Sequence, residues 1–343
     1  VRRHLDLRLG GLLTTLRHSR LYVGVGYRAL GRVAAQYDLD LQAGESHRSL
    51  CATLRGEVPT PWPLVATCRI EGRQQRYGAR DVIVPRGGPS ASLRLQRWAS
   101  TWTVELPVGH HGVWRHGLTY ARNRDCLTSF DNARALSYID RANYRLLTAG
   151  SELRWGTMAA GPYADVGYDT WLHVRRRRLT DGAGWWTLGV GGSGYHPVSA
   201  RWRLGVHARA TWSTLPASLS PLRTWLLSPA YRQPGQEAFR CYTALRARSF
   251  VAPGVSVVRR WGQRGQVRLD ATGFLPVGSR GGAVPWQAAD GRRLAVGMAD
   301  LSWVWRTAAA DCVAFLHAAR TDRTLWAVGF RIGFLPRTGS GDD

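Results

Sequence analysis

The stretch Ala200–Trp212 reads ARWRLGVHARATW, and its period is two. Trp202, Leu204, Val206, Ala208, Ala210 and Trp212 share one face, while Arg201, Arg203, Gly205, His207, Arg209 and Thr211 share the other. A strand sends successive side chains to opposite faces. A helix, turning about 100° per residue, would scatter these arginines around its circumference. The segment is therefore a strand with one apolar and one charged face.

The same alternation recurs along the chain. Gln36, Asp38 and Asp40 oppose Tyr37, Leu39 and Leu41; Thr67, Arg69, Glu71 and Arg73 oppose Cys68 and Ile70. Thr101, Thr103 and Glu105 oppose Trp102, Val104 and Leu106; Arg268, Asp270 and Thr272 oppose Val267, Leu269 and Ala271. At the end, Val328, Phe330, Ile332 and Phe334 oppose Gly329, Arg331 and Gly333. The pattern predicts about sixteen strands, near 3–11, 20–29, 32–43, 48–57, 63–76, 91–106, 112–122, 146–157, 162–175, 184–195, 200–213, 250–261, 265–274, 293–306, 309–320 and 324–335. The gaps between them alternate in length. Leu30–Gly31, Val58–Trp62, Pro107–His111, Met158–Gly161, His196–Ser199, Gly262–Arg264 and Thr307–Ala308 are short. Tyr77–Ser90, Asn123–Arg145, Arg176–Ala183, Thr214–Ser249 and Leu275–Arg292 are longer. Short turns on one rim and long loops on the other are the signature of a transmembrane barrel, in which an apolar outer face meets lipid and a polar inner face meets a wet lumen. The sequence thus predicts an all-β fold: one transmembrane antiparallel β-barrel of about 16 strands spanning residues 1–343, with long outer loops and short periplasmic turns.

Composition agrees. Hydrophobic residues make up 44% of the 343, too many for a disordered chain. The net charge is +24, and all 47 basic residues are arginine. The 16 tryptophans suit the aromatic girdles of a barrel. No run reaches the roughly 18 apolar residues of a transmembrane helix. Because arginine alternates with apolar residues throughout, most of its charge is expected in the lumen, and no nucleic-acid partner is expected.

Chemistry is sparse. The five cysteines form no CxxC pair and the ten histidines show no metal spacing, so no metal or cofactor is expected. Gly191–Gly194 lacks the spacing of a hydrolase elbow and reads as a glycine-rich strand. Asp38 and Asp40 point into one lumen, where ion pairing to arginine is expected rather than acid–base catalysis. No catalytic residue is assigned, and the chain is not expected to be an enzyme. The run Arg175, Arg176, Arg177 and Arg178 is expected at an outer rim, either as a solvated loop or as a binding site for lipopolysaccharide phosphates.

Several segments resemble the barrel domain of the BamA and two-partner-secretion transporter superfamily, and more closely the barrel that follows the lipase domain in patatin-like outer-membrane proteins of Bacteroidota. They are LDLRLGGLLTTLRHSRLYVGVGYRALGRV (5–33), TWTVELPVGHHGVWRHGLTYARNRD (101–125), LSPAYRQPGQEAFRCYTALRARSFVAPGV (227–255), VRLDATGFLPV (267–277) and LWAVGFRIGF (325–334). The resemblance implies a bacterial outer-membrane location and a sixth outer loop tucked into the lumen. Leu245-Arg246-Ala247 matches the start of that loop's arginine phrase, with alanine in place of glycine and Phe250 displaced downstream. On this likeness Arg246 pairs with Asp270 on the wall, and Phe330 and Phe334 act as the insertion signal. The lipase and periplasmic docking domains of such proteins would lie upstream of Val1. The implied role is a membrane anchor, translocation or assembly module for an attached or partner polypeptide. The alternatives are a scaffold subunit of an outer-membrane protein complex, with lipid, lipopolysaccharide and proteins as partners, or an anion-selective porin.

Overall fold

The computed structural model describes residues 2–15, 19–31, 33–58, 63–77, 90–131, 136–157, 166–215, 247–262, 264–277, 296–307, 311–320 and 324–333. They form strands β1 (Arg2–Thr14), β2 (Arg20–Leu30), β3 (Ala34–Gly44), β4 (His47–Val58), β5 (Leu64–Tyr77), β6 (Ser90–Val108), β7 (Gly112–Asp131), β8 (Leu136–Gly156), β9 (Gly167–Leu179), β10 (Gly184–Pro197), β11 (Trp202–Ser213), β12 (Ser249–Trp261), β13 (Gly265–Val277), β14 (Val296–Arg306), β15 (Asp311–Arg320) and β16 (Thr324–Gly333). Each strand pairs antiparallel with the next, and β16 returns to β1 to close the barrel. All sixteen expected strands are present.

This up-and-down order puts the start of β1 and the end of β16 on one rim, the terminal rim. The connections 31–33, 59–63, 109–111, 157–166, 198–201, 262–264 and 307–310 lie there too. The opposite, loop rim takes the connections 78–89, 214–248 and 278–295, the longest in the chain.

Two expected loops are largely strand. The stretch Asn123–Arg145 is not a loop: β7 and β8 run on to Asp131 and Leu136, in register from Gly112↔Trp155 to Asp131↔Leu136. Their 20 and 21 residues make the tallest part of the wall, against 10 each in β15 and β16. Likewise β9 continues through Arg175–Arg178 to Leu179. In both places charged residues occupy outward positions, and in an alternation read as apolar-out they resemble loop.

The outer face is apolar over its middle. Val206 is 67% exposed and Leu5 70%, and Trp102, Leu118, Leu153, Leu172, Leu188, Leu269 and Leu301 stand outward in the same way. Such a continuous apolar surface exceeds what a water-soluble monomer exposes and matches the lipid-facing band of a membrane barrel.

The inner face is less uniformly wet than expected. From β1 to β9 it is a series of ion pairs. Arg8 Nη2 donates to Asp38 Oδ1 at 2.6 Å and to Asp40 Oδ1 at 3.3 Å, so the two carboxylates face one lumen as anticipated. Arg69 meets Glu71 at 2.9 Å, Arg115 meets Glu105 at 2.6 Å, and Arg154 meets Asp169 at 2.7 Å. From β12 to β15 the inward positions instead form layers. Phe250, Phe274 and Val296 are buried toward the loop rim, and Val258, Val304 and Val313 toward the terminal rim. A polar layer lies between.

The glycine-rich stretch of β10 has a packing reason. A Cβ at Gly191 would lie 2.6 Å from the Trp171 ring on β9, and one at Gly189 would lie 2.6 Å from His173 Nε2. The missing side chains let Trp171 and His173 stack, with centroids 5.0 Å apart and planes 7° off parallel. Arg209 then sits 5.0 Å above Trp171.

If the outer face is lipid-exposed, Val206→Arg near the middle of β11 should cost about 2–4 kcal/mol. Equilibrium unfolding of the barrel refolded in lipid vesicles measures this. A change of a few tenths would place that face elsewhere than the bilayer core.

Candidate functional site

Two parts of the barrel depart from a plain wall: the polar layer on β11–β15 and the seam between β1 and β16. The layer is built by strand phase. His207, Ser256, Arg268, Asp270, Thr272, Asp300 and His317 all occupy inward positions, and each is buried. Asp270 and Asp300 are direct cross-strand neighbours, an arrangement that like charges disfavour. Each has its own partner. Arg268 Nε donates to Asp270 Oδ2 at 2.6 Å. Ser256 Oγ donates to Asp270 Oδ1. Asp300 Oδ1 lies 2.5 Å from His317 Nδ1. Arg268 also lies 5.3 Å from the Tyr195 ring centroid, and His207 Nε2 is 2.9 Å from Thr272 Oγ1.

Serine, histidine and aspartate here are hydrolytic residue types in the wrong order. A serine nucleophile gives its proton to an imidazole that a carboxylate orients from the far side. Ser256 instead stands between His207, at 3.4 Å from Nδ1, and Asp270, which takes its hydroxyl proton. The Ser256 hydroxyl is thus directed at a carboxylate within the layer. Among the described residues no group of three or more metal-type ligands is gathered in one place, and Cys51, Cys68, Cys126 and Cys312 are free thiols.

The expected wall partner Asp270 is thus in place, buried, and engaged by Arg268 and Ser256. Its expected loop partner Arg246 lies outside the described residues. Sequence reading missed Arg268, although its position two residues before Asp270 on one strand face was the available signal. Asp300 and His317 were also missed, because pairing across β14 and β15 needs the register.

Among the described residues the seam is the shortest ladder in the barrel. The β1–β16 register covers five positions, from Gly10↔Gly333 to Thr14↔Gly329, whereas β1 and β2 match over eleven. Arg2–Leu9 register with β2 alone among the described residues. Thr15 N adds one bond to the Val328 carbonyl at 3.0 Å. Gly333, the last described residue of β16, has φ +75°, a left-handed conformation that favours glycine. Phe330 lies on the outer face of β16 opposite Leu13, 41% exposed; Phe334 lies outside the described residues.

The Arg175–Arg178 run is not a loop cluster. Strand phase divides it: Arg175 turns inward to Glu152 at 3.4 Å, and Arg177 inward to Thr187 at 2.9 Å. Arg176 and Arg178 stand outward and exposed.

No protein-family model matches the sequence, and no curated protein matches it significantly. Solved structures do. BamA from Haemophilus ducreyi lacking POTRA domains 1–3 superposes with a TM-score of 0.68 at 12% identity, over 96% of this chain and 70% of that one. CdiB from Acinetobacter baumannii gives 0.59 at 9%, over 96% and 60%. CdiB from Escherichia coli gives 0.55 at 11%, over 97% and 68%. The fold is that of an outer-membrane barrel. At these identities the likeness is one of fold, and the chain spans three fifths to seven tenths of each of those chains.

Removing one partner of a buried pair strands the other charge. Asp270→Ala, which leaves Arg268 uncompensated with both side chains under a tenth exposed, should destabilise the barrel by about 3–5 kcal/mol. Glu57→Ala, at the exposed Arg55 pair, should cost under about 1 kcal/mol. Urea unfolding of the two variants in one lipid system compares them directly, and equal costs would refute a structural role for the layer.

Proposed function

We propose that this chain inserts into the bacterial outer membrane, with the terminal rim toward the periplasm and the loop rim outward, and serves as anchor and as translocation or assembly module for an attached or partner polypeptide. The observation that carries this reading is the seam. A barrel wall is held by backbone ladders, and among the described residues the ladder that closes the cylinder is less than half as long as its neighbour on β1. A wall built to open at one place would be built this way. The fold shared with BamA and CdiB supports it, as do the sequence segments that resemble that superfamily.

Phe330 is assigned as part of the insertion signal, since it faces outward on the last strand. In this reading the barrel's role is mechanical and not catalytic, and an upstream patatin-like lipase domain of the kind found in Bacteroidota is a natural attached polypeptide. An open anion-selective pore fits less well. Val258, Val304 and Val313 face inward yet are fully buried, whereas the side chains of a water-filled channel are wet.

The test locks the seam. Gly11 and Ile332 are register partners, and a Cβ at Gly11 would meet only Leu21 Cδ2 at 3.5 Å and the Arg20 carbonyl at 3.7 Å. Gly11→Cys with Ile332→Cys, in a background whose five native cysteines are replaced by alanine, should form a disulfide under oxidation. A tagged polypeptide joined ahead of Val1 should reach the cell surface when the seam is reduced and stay protected from added protease when it is oxidised. Export indifferent to the disulfide would overturn the reading.

A further inference from the structure

The outward face of β6–β9 changes character near the loop rim. Below, it carries Trp98, Trp102, Tyr120, Leu147 and Val174, the upper part of the lipid-facing band. On β8 the outward positions from Trp155 to Leu147 rise about 20 Å along the membrane normal at the usual rise and tilt, close to the roughly 25 Å height of such a band. At and beyond its upper edge stand Arg94 on β6, Arg122 and Arg124 on β7, Arg145 on β8, and Arg176 and Arg178 on β9, all exposed, with Arg122 the register partner of Trp98 and Arg178 that of Leu147.

Among the described residues these six arginines have no anionic partner. Arg124 Nε donates to Asn143 Oδ1 at 3.2 Å and Arg176 lies over the Trp186 ring at 5.1 Å. Among the described residues none of them forms an ion pair, in contrast to the arginines of the inner wall. The outward positions interleaved with them, Gln96, Asn143 and Leu147, supply no carboxylate. Register makes the arrangement costly in isolation: Arg122 faces Arg145 directly across the β7–β8 ladder. Like charges placed opposite each other destabilise a sheet. Arg178 pairs with Leu147, two positions from Arg145, and so sits on the diagonal, about 7–8 Å away.

The density is uneven. At the loop rim the outward faces of β11, β12, β13 and β16 end in Trp212, Val251, Val277 and Trp326, and β4 and β15 carry one exposed arginine each, Arg48 and Arg320. Six gather on β6–β9, across the barrel from the β1–β16 seam, and Arg76 of β5 adjoins them as the register partner of Arg94.

We propose that this face docks a membrane lipid whose sugar headgroup carries phosphate monoesters, a phosphorylated glycolipid of the leaflet at the loop rim. Its acyl chains lie along the Trp98–Tyr120–Leu147 surface, and its phosphates bridge Arg122, Arg145 and Arg178. Guanidinium forks bind phosphate bidentately, and a dianion between Arg122 and Arg145 turns their repulsion into two attractive contacts. The site replaces the contiguous Arg175–Arg178 run as the lipid-binding candidate, keeping only its outward members. It shares with the translocation reading only the membrane orientation, so failure of either leaves the other standing.

The test uses the full chain in detergent micelles, read by native mass spectrometry. The probes are bisphosphorylated lipid A, its monophosphoryl form, phosphatidylglycerol and inorganic phosphate. Bisphosphorylated lipid A should be retained in preference to the monophosphoryl form and to phosphatidylglycerol, and millimolar inorganic phosphate should not displace it. The triple variant Arg122→Gln, Arg145→Gln, Arg178→Gln should weaken retention tenfold or more, while Arg259→Gln, on the outer face near the other rim, should not. On the wild-type protein lipid A should also shield Arg122, Arg145 and Arg178 from phenylglyoxal, as mapped by peptide mass, which makes the test independent of how the triple variant folds. Unchanged retention by a folded triple variant, absence of shielding, equal retention of phosphatidylglycerol, or displacement by inorganic phosphate would each overturn the proposal.

Discussion

In lipid, a backbone amide or carbonyl without a partner costs several kcal/mol, and there is no water to supply one. Every other feature of this barrel answers to that constraint. It forces the sixteen strands into a closed ring and sets the alternation of side chains. It also concentrates attention on the ladder that closes the ring. Among the described residues that ladder is short, running from Gly10 to Thr14, and the longer register of β1 on β2 holds the other side of β1.

The inner wall shows how the cylinder stays stiff around such a joint. From β1 to β9, arginine and carboxylate pairs link neighbouring strands, often across one or two ladders, as Arg8 does with Asp38 and Asp40. From β12 to β15, apolar packing above and below a buried polar layer does the same work. Asp270 and Asp300, set side by side, are each partnered separately, by Arg268 and by His317. Buried pairs of this kind add little net stability but penalise any other arrangement strongly. Strand slippage here would strand four polar groups at once.

Much of this was legible in the sequence. Sixteen strands, their phase and the rhythm of long and short connections follow from a period of two, because lipid on one side and polar wall on the other enforce it. Reading fell short where that rule stops applying. Above the bilayer the outward face no longer has to be apolar, so Arg124 and Arg145 looked like loop although β7 and β8 continue through them. Arg175–Arg178 looked like one cluster for the same reason. Val304 and Val313 were not read as an inner core because valine at an inward position contradicts the expectation of a wet lumen. Asp270 was singled out by family likeness, whereas its partner Arg268 was visible two residues away. The length of the seam depends on register, and register is not written in one strand.

The unequal strand lengths give the barrel a parapet. The β7–β8 hairpin continues about ten residues past Tyr120, which at the usual rise and tilt raises it about 25 Å above the lipid-facing band, whereas β16 and β15, at 10 residues each, end low. Because β8 stands across the ring from β16, the mouth is cut obliquely, high at the back and low over the joint. A body gliding in the plane of the membrane meets a raised, positively charged wall from one side and a low sill from the other. The approach to this molecule has a front and a back before any loop is considered.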